Sequence, residues 1–222
     1  METYYISLGM QCTVPNTLTA LGVKRETLPF DWMLSSPKFV FTMLELLLVK
    51  NLDTNILVRE HFFKCNKRAT IGPNHIEHYV ESLDDGSLYN EEYRVIFPHD
   101  EYNEETIQKY INRFNRLKDL ILDETKKLIF VYISESSINQ GRLTINNEIV
   151  ISGVYHYLSE ISKTISANRK NFRVLILDSL LIEDRSNLDC NIDLLELEPR
   201  NGLNELQPEC ESKILEYISK LE

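Results

Sequence analysis

Covalent chemistry in this 222-residue chain would fall to its four cysteines and five histidines, and their settings separate one thiol from the rest. Cys12 follows Tyr4-Tyr5-Ile6-Ser7-Leu8, an aromatic and β-branched run that reads as a short first strand closed by a tight turn at Gly9. A helix is expected from about Thr13, with Pro15 in its first turn, Leu18 and Leu21 on one face and Gly22 as its stop. Cys12 then stands at a helix N-terminus. There the unpaired N–H groups and the helix dipole favour an anion, so a lowered thiol pKa is expected. The same turn, with Ser7, Gly9 and Gln11, could supply donors to an oxyanion as a carbonyl is attacked. The competing reading is a small buried hydrophobe under the first helical turn, which is what most free cysteines are.

A nucleophilic thiol needs a base. His99 is preceded by Phe97-Pro98 and followed by Asp100, at the end of a strand-like run where fixed backbone could present an imidazole. His61, His75 and His78 lie in a polar stretch. His75 and His78 form a His-x-x-His pair without an obvious third ligand, and His156 falls within a helical pattern. The carboxylates that could orient an imidazole are Asp100, Asp178 at the end of an apolar strand, and Asp31, set between Phe30 and Trp32. A carboxylate in such aromatic company is either buried with partners or functional. Cys65, Cys190 and Cys210 are scattered, with no CxxC or CxH pattern, so zinc is not expected, nor any other metal or cofactor. No GxGxxG or Walker sequence marks a nucleotide site.

The elements that must position these residues follow from periodicity. Ser36-Pro37 begins a helix with Val40, Met43, Leu44, Leu47 and Leu48 as its apolar positions. From Val58 to Pro98, short apolar segments alternate with Gly72-Pro73, Asp84-Asp85-Gly86 and Asn90, which predicts an irregular β-hairpin insertion over about 58–98. Asn103 caps a long helix carrying Ile107, Tyr110, Ile111, Phe114, Leu117 and Ile121 on one face. Leu128–Ile133 and Phe172–Leu177 are nearly continuous apolar runs, as buried parallel strands are, and Val154, Leu158, Ile161 and Ile165 mark a crossover helix between them. A strand over Ile192–Leu197 and an amphipathic helix through Ile214, Tyr217, Ile218 and Leu221 complete the order. The fold class predicted is α/β: a three-layer, mostly parallel sheet with helices on both faces, in a single domain over 1–222. Sites in such sheets gather at the carboxyl ends of the strands, so Gly9–Cys12, Ser134–Ser137 and Asp178–Ser179 are expected on one rim.

Composition bounds the rest. Hydrophobic residues make up 43% and charged residues 26%, ordinary values for a globular chain able to bury a core without disulfides. A net charge of −10 and a pI near 5.1 argue against a nucleic-acid partner, whose affinity is built from clustered Lys and Arg. The longest apolar run, Phe39 to Val49, is interrupted by Thr42 and Glu45 and falls short of the roughly 20 residues of a membrane span. Without a basic, apolar leader at Met1-Glu2-Thr3, a cytoplasmic location is expected.

Ser7-Leu8-Gly9-Met10-Gln11-Cys12, then Leu28-Pro29-Phe30-Asp31-Trp32, then Phe97-Pro98-His99-Asp100 resemble, in order, the SLGxxC, PFDW and HD blocks of a family of predicted papain-like cysteine peptidases. Tyr110–Leu117 and Lys127–Ile133 also resemble that family's Lys/Arg-rich helix and its next apolar strand. The resemblance implies Cys12 as nucleophile, His99 as base, Asp100 or Asp31 as a third member, a protein or peptide as substrate, and a papain-like α+β fold as the alternative to the doubly wound sheet. Two other readings stand beside a cysteine hydrolase or acyl-transfer enzyme. One is a carbohydrate- or nucleotide-processing α/β enzyme in which Cys12 is structural. The other is a non-catalytic interaction module whose acidic surface binds a basic partner.

Overall fold

The computed structural model describes residues 1–9, 12–33, 35–63, 67–71, 76–80, 87–90, 92–93, 95–97, 99–134, 144–145, 148–149, 154–178, 188–197 and 207–220. In chain order the elements are β1 (Glu2–Ser7), α1 (Thr13–Ala20), α2 (Pro37–Leu44), α3 (Thr54–Ile56), β2 (Lys67–Ile71), β3 (Ile76–Val80), β4 (Ser87–Asn90), β5 (Val95–Phe97), α4 (Glu104–Leu122), β6 (Lys126–Ser134), β7 (Thr144–Ile145), β8 (Glu148–Ile149), α5 (Val154–Ser166), β9 (Phe172–Asp178), β10 (Ile192–Glu196) and α6 (Gln207–Ser219). Two helices run on into π-helical turns, α2 into Glu45–Val49 and α3 into Leu57–Phe62.

The main sheet has the order β1-β6-β9-β10, and every pairing in it is parallel. Side chains alternate across a strand, so an apolar run must be covered on both faces. Leu128, Phe130 and Tyr132 of β6, with Val174 and Ile176 of β9, pack on the side of α2, α4 and α5. Ile129, Val131 and Ile133, with Leu175 and Leu177, pack against Val14 and Leu18 of α1 and Cys210, Ile214 and Tyr217 of α6. The result is a three-layer α/β arrangement. The parallel pairing rules out the papain-like α+β alternative, because each connection in the sheet returns its strand to the same direction through a crossover.

Capping follows the sequence. Ser36 Oγ accepts the Phe39 amide at 3.3 Å to open α2, and Asn103 Oδ1 accepts the Thr106 amide at 2.8 Å to open α4. Buried Arg169 closes the other end of α4, donating to the Leu120 and Ile121 carbonyls at 2.8 and 3.3 Å. It also donates to the Lys126 and Asn171 carbonyls at 2.5 and 2.9 Å, tying helix end and strand start together.

The second sheet, β3-β2-β4-β5, is antiparallel and lies within the expected insertion. Its start needs a correction, since Leu57–Phe62 is helical rather than hairpin. Asp53 Oδ1 accepts the Asn55 and Ile56 amides at 2.9 and 3.2 Å, and Leu57, Val58 and Phe62 are then buried by the widened turn. The turn signals at Gly72-Pro73 and Asp84–Gly86 lie outside the described residues. Among the described residues, no helix is long and apolar enough to cross a membrane.

Candidate active site

The turn that carries Cys12 is built by three residues. The Leu8 amide still bonds the Val131 carbonyl at 2.9 Å, extending β1 along β6 to its carboxyl end. Gly9 then leaves the strand at φ +80°, a left-handed conformation that costs L side chains energy. The buried Ser7 hydroxyl accepts the Gly9 amide at 3.2 Å and fixes the turn. A Cβ on Gly9 would overlap the Ser35 Oγ, so glycine is also needed for the close approach of the 28–36 loop. Cys12 is the N-cap of α1, its carbonyl accepting the Asn16 amide at 3.0 Å, and its thiol is half-buried. Gln11 lies outside the described residues.

His99 reaches this turn from a distant part of the chain. Its Nε2 stands 3.6 Å from the Cys12 Sγ across 87 positions of sequence, within hydrogen-bond reach for sulfur. The imidazole is exposed, and the chain on each side of it is anchored. Two residues earlier, Phe97 packs its ring 5.0 Å from Phe62 and 4.9 Å from Phe63. One residue later, the Asp100 side chain is only 4% exposed; it pairs with Lys109 and accepts the Tyr110 hydroxyl at 2.7 Å.

Asp31 occupies the other wall. Its side chain is 1% exposed, pairs with Lys24 and accepts the Leu28 amide at 3.0 Å. The next residue, Trp32, takes φ +64°, rare for a bulky side chain, so this loop holds backbone strain. Burial pushes the Asp31 carboxyl up despite the adjacent ammonium. Burial likewise pushes the Cys12 thiol above its usual value, with the Asp31 charge acting in the same direction and the Cys12 amide opposing. The thiol pKa lowering expected from the helix start is therefore corrected: desolvation by burial outweighs the Cys12 amide.

The other sequence candidates are placed apart. Ser134 pairs in register with Asp178 at the carboxyl rim, where Asp178 is fully buried and accepts the Tyr155 hydroxyl. Ser136, Ser137 and Ser179 lie outside the described residues. His61 sits on the turn after α3, and His156 is exposed on α5 with its ring 5.1 Å from Tyr157. His75, the His78 side chain and Cys65 are outside the described residues. Cys190 is exposed and Cys210 is buried on the core side of α6. Among the described residues no three metal-ligating side chains converge. An open cavity of about 900 Å3, lined by Glu2, Arg25, Lys127 and Asn171 among others, lies at the amino ends of the strands, away from Cys12.

Residues 3–177 match the model of a family described as "putative papain-like cysteine peptidase". The chain belongs to this family. That membership supports a cysteine-peptidase kind of activity, and the blocks that carry Cys12 and His99 both fall within the matched span. No curated protein and no solved structure matches the chain. Sequence reasoning missed Lys24, Ser35, Lys109 and Tyr110. Tyr110 was legible only as a core position of α4, because a phenol serving both a core and a buried carboxylate has the same spacing as any core aromatic.

Proposed function

We propose that the chain is a cysteine-dependent hydrolase or acyl-transfer enzyme acting on a protein or peptide, with Cys12 as nucleophile and His99 as general base. The observation that carries this reading is the 3.6 Å approach of His99 Nε2 to Cys12 Sγ, made by two residues whose sequence blocks both belong to the family pattern. The resting thiol is neutral, since burial raises it, so the proton passes to Nε2 as sulfur attacks the substrate carbonyl. A sulfur–carbon bond forms and the carbonyl electrons move to oxygen, where amides at the start of α1, with Gln11, donate to the oxyanion. Collapse breaks the bond to the leaving group, which takes the proton from the imidazolium. Water then attacks the thioester, giving a proton to His99; collapse breaks the sulfur–carbon bond, releases the carboxylic acid and returns the imidazolium proton to sulfur. Of the candidate third members, Asp100 bonds Lys109 and Tyr110 and Asp31 bonds Lys24 and the Leu28 amide, so neither takes the imidazole, while Ser7 and Gly9 shape the turn that presents the sulfur.

The test is acylation by p-nitrophenyl acetate followed by mass spectrometry. The expected result is a burst of nitrophenol with an acetyl group on the Cys12 peptide, absent in Cys12→Ala and slowed by about 100-fold or more in His99→Ala. Acetylation of Cys12 at equal rates with and without His99 would refute the role of base.

A further inference from the structure

An exposed imidazole is mobile unless something outside its ring restrains it, and a base loses efficiency steeply when displaced by even about 1 Å. His99 is exposed, so the restraint has to come from its neighbours in the chain. The firmest of these is Asp100. Its carboxylate receives the Lys109 ammonium on one oxygen and the Tyr110 hydroxyl on the other, the latter at 2.7 Å. Both partners belong to α4, the longest helix, which is capped at one end by Asn103 and tied by Arg169 at the other.

Tyr110 itself cannot swing. It is fully buried, with its ring 4.7 Å from Phe62, 5.0 Å from Phe63 and 4.7 Å beneath the Arg113 guanidinium. Phe62 and Phe63 also hold Phe97, so one aromatic cluster fixes the backbone on both sides of His99. Burial, then the adjacent Asp100 charge, pushes the Tyr110 phenol well above the usual tyrosine value, which favours the hydroxyl as donor to Asp100.

We propose that Tyr110 is a positioning residue of the thiol site, holding His99 against Cys12 through the carboxylate of Asp100. This inference rests on the Cys12–His99 reading above. It assigns the hydroxyl of Tyr110 a role distinct from the packing of its ring.

The experiment is a double-mutant cycle in the full-length protein, following iodoacetamide alkylation of the Cys12 peptide at about pH 7. His99→Ala is expected to slow alkylation. Tyr110→Phe, which keeps the ring and removes only the hydroxyl, is expected to slow it by about 10- to 100-fold when His99 is present and to change nothing in the His99→Ala background. Equal slowing in both backgrounds would overturn the proposal, because Tyr110 would then act on the fold around the thiol rather than through the imidazole. A full rate in Tyr110→Phe together with a slow rate in His99→Ala would overturn the proposal while leaving the Cys12–His99 pair intact. An unchanged rate in His99→Ala would remove the pair and the proposal together. Should Tyr110→Phe fail to fold, Asp100→Ala takes its place in the same cycle with the same expected and refuting outcomes.

Discussion

Replacing Gly9 by alanine tests how the Cys12 turn is built, because it adds one methyl group where two separate costs meet. The first is conformational: at φ +80° an L residue loses about 1–2 kcal/mol relative to glycine. The second is steric. The new Cβ would overlap Ser35 Oγ, while Phe30 O and Ser35 Cβ stand at 3.5 and 3.6 Å, ordinary contact distances, so one hydroxyl makes nearly all of the clash. Ser35 is fully buried and cannot rotate into solvent, so relief requires moving the 28–36 loop, at about 1–3 kcal/mol for an overpacked site. Gly9→Ala should therefore destabilise by about 2–5 kcal/mol in urea unfolding. Gly22 supplies the control, with φ +67° and open space around its Cβ position, so Gly22→Ala should show only the conformational cost, about 1–2 kcal/mol. In a Ser35→Ala background the clash is gone, and Gly9→Ala should fall to the Gly22→Ala value. If Gly9→Ala costs the same with and without the Ser35 hydroxyl, the close approach of the loop to the turn is not what demands glycine.

Two further outcomes are expected. Burial raises the Cys12 thiol, so the folded chain keeps that proton to higher pH than the unfolded chain does; its stabilising contribution is complete below the unfolded thiol value of about 8.5 and is lost as pH rises through the folded value. Urea midpoints measured from about pH 7 to 10 should fall less steeply for Cys12→Ala than for the wild type, and parallel slopes would refute the linkage. Arg169→Met keeps bulk but strands the carbonyls of Leu120, Ile121, Lys126 and Asn171, and should cost about 3 kcal/mol or more by the same assay.

The strands of the main sheet were legible because a buried parallel strand must be apolar on both faces, and β6 and β9 are written that way. The caps of α2 and α4 were legible because Ser36 and Asn103 announce themselves by type and place. The helix over Leu57–Phe62 was not. Its buried positions, Leu57, Val58 and Phe62, span under two turns, too short for a helical period to stand out before the turn signals that follow. The approach of Cys12 to His99 was legible from the ordered motif blocks and not from a shared sheet rim, since β1 and β5, which precede the two residues, belong to different sheets. The direction of the thiol's shift was not, because the helix start is local sequence while burial is a property of the folded chain and the Asp31 charge arrives from 19 positions away (31 − 12).

For the proposed Cys12–His99 pair, that shift bears on the order of steps. A thiol at a helix start, open to water and near positive charge, would rest as a thiolate and need the imidazole only to protonate the leaving group. Here burial and the Asp31 charge both disfavour the anion, so in the proposed reaction the sulfur sheds its proton as it attacks. A base that acts within the attack step has to be in place before it, which raises the premium on holding His99 still. The imidazole is exposed, so it is not held by packing of its own ring. The aromatic cluster of Phe62, Phe63, Phe97 and Tyr110, together with the Asp100 carboxylate, holds the adjoining backbone instead. A desolvated thiol on one side and an anchored, solvent-facing base on the other are thus two parts of one arrangement, each giving the other its reason.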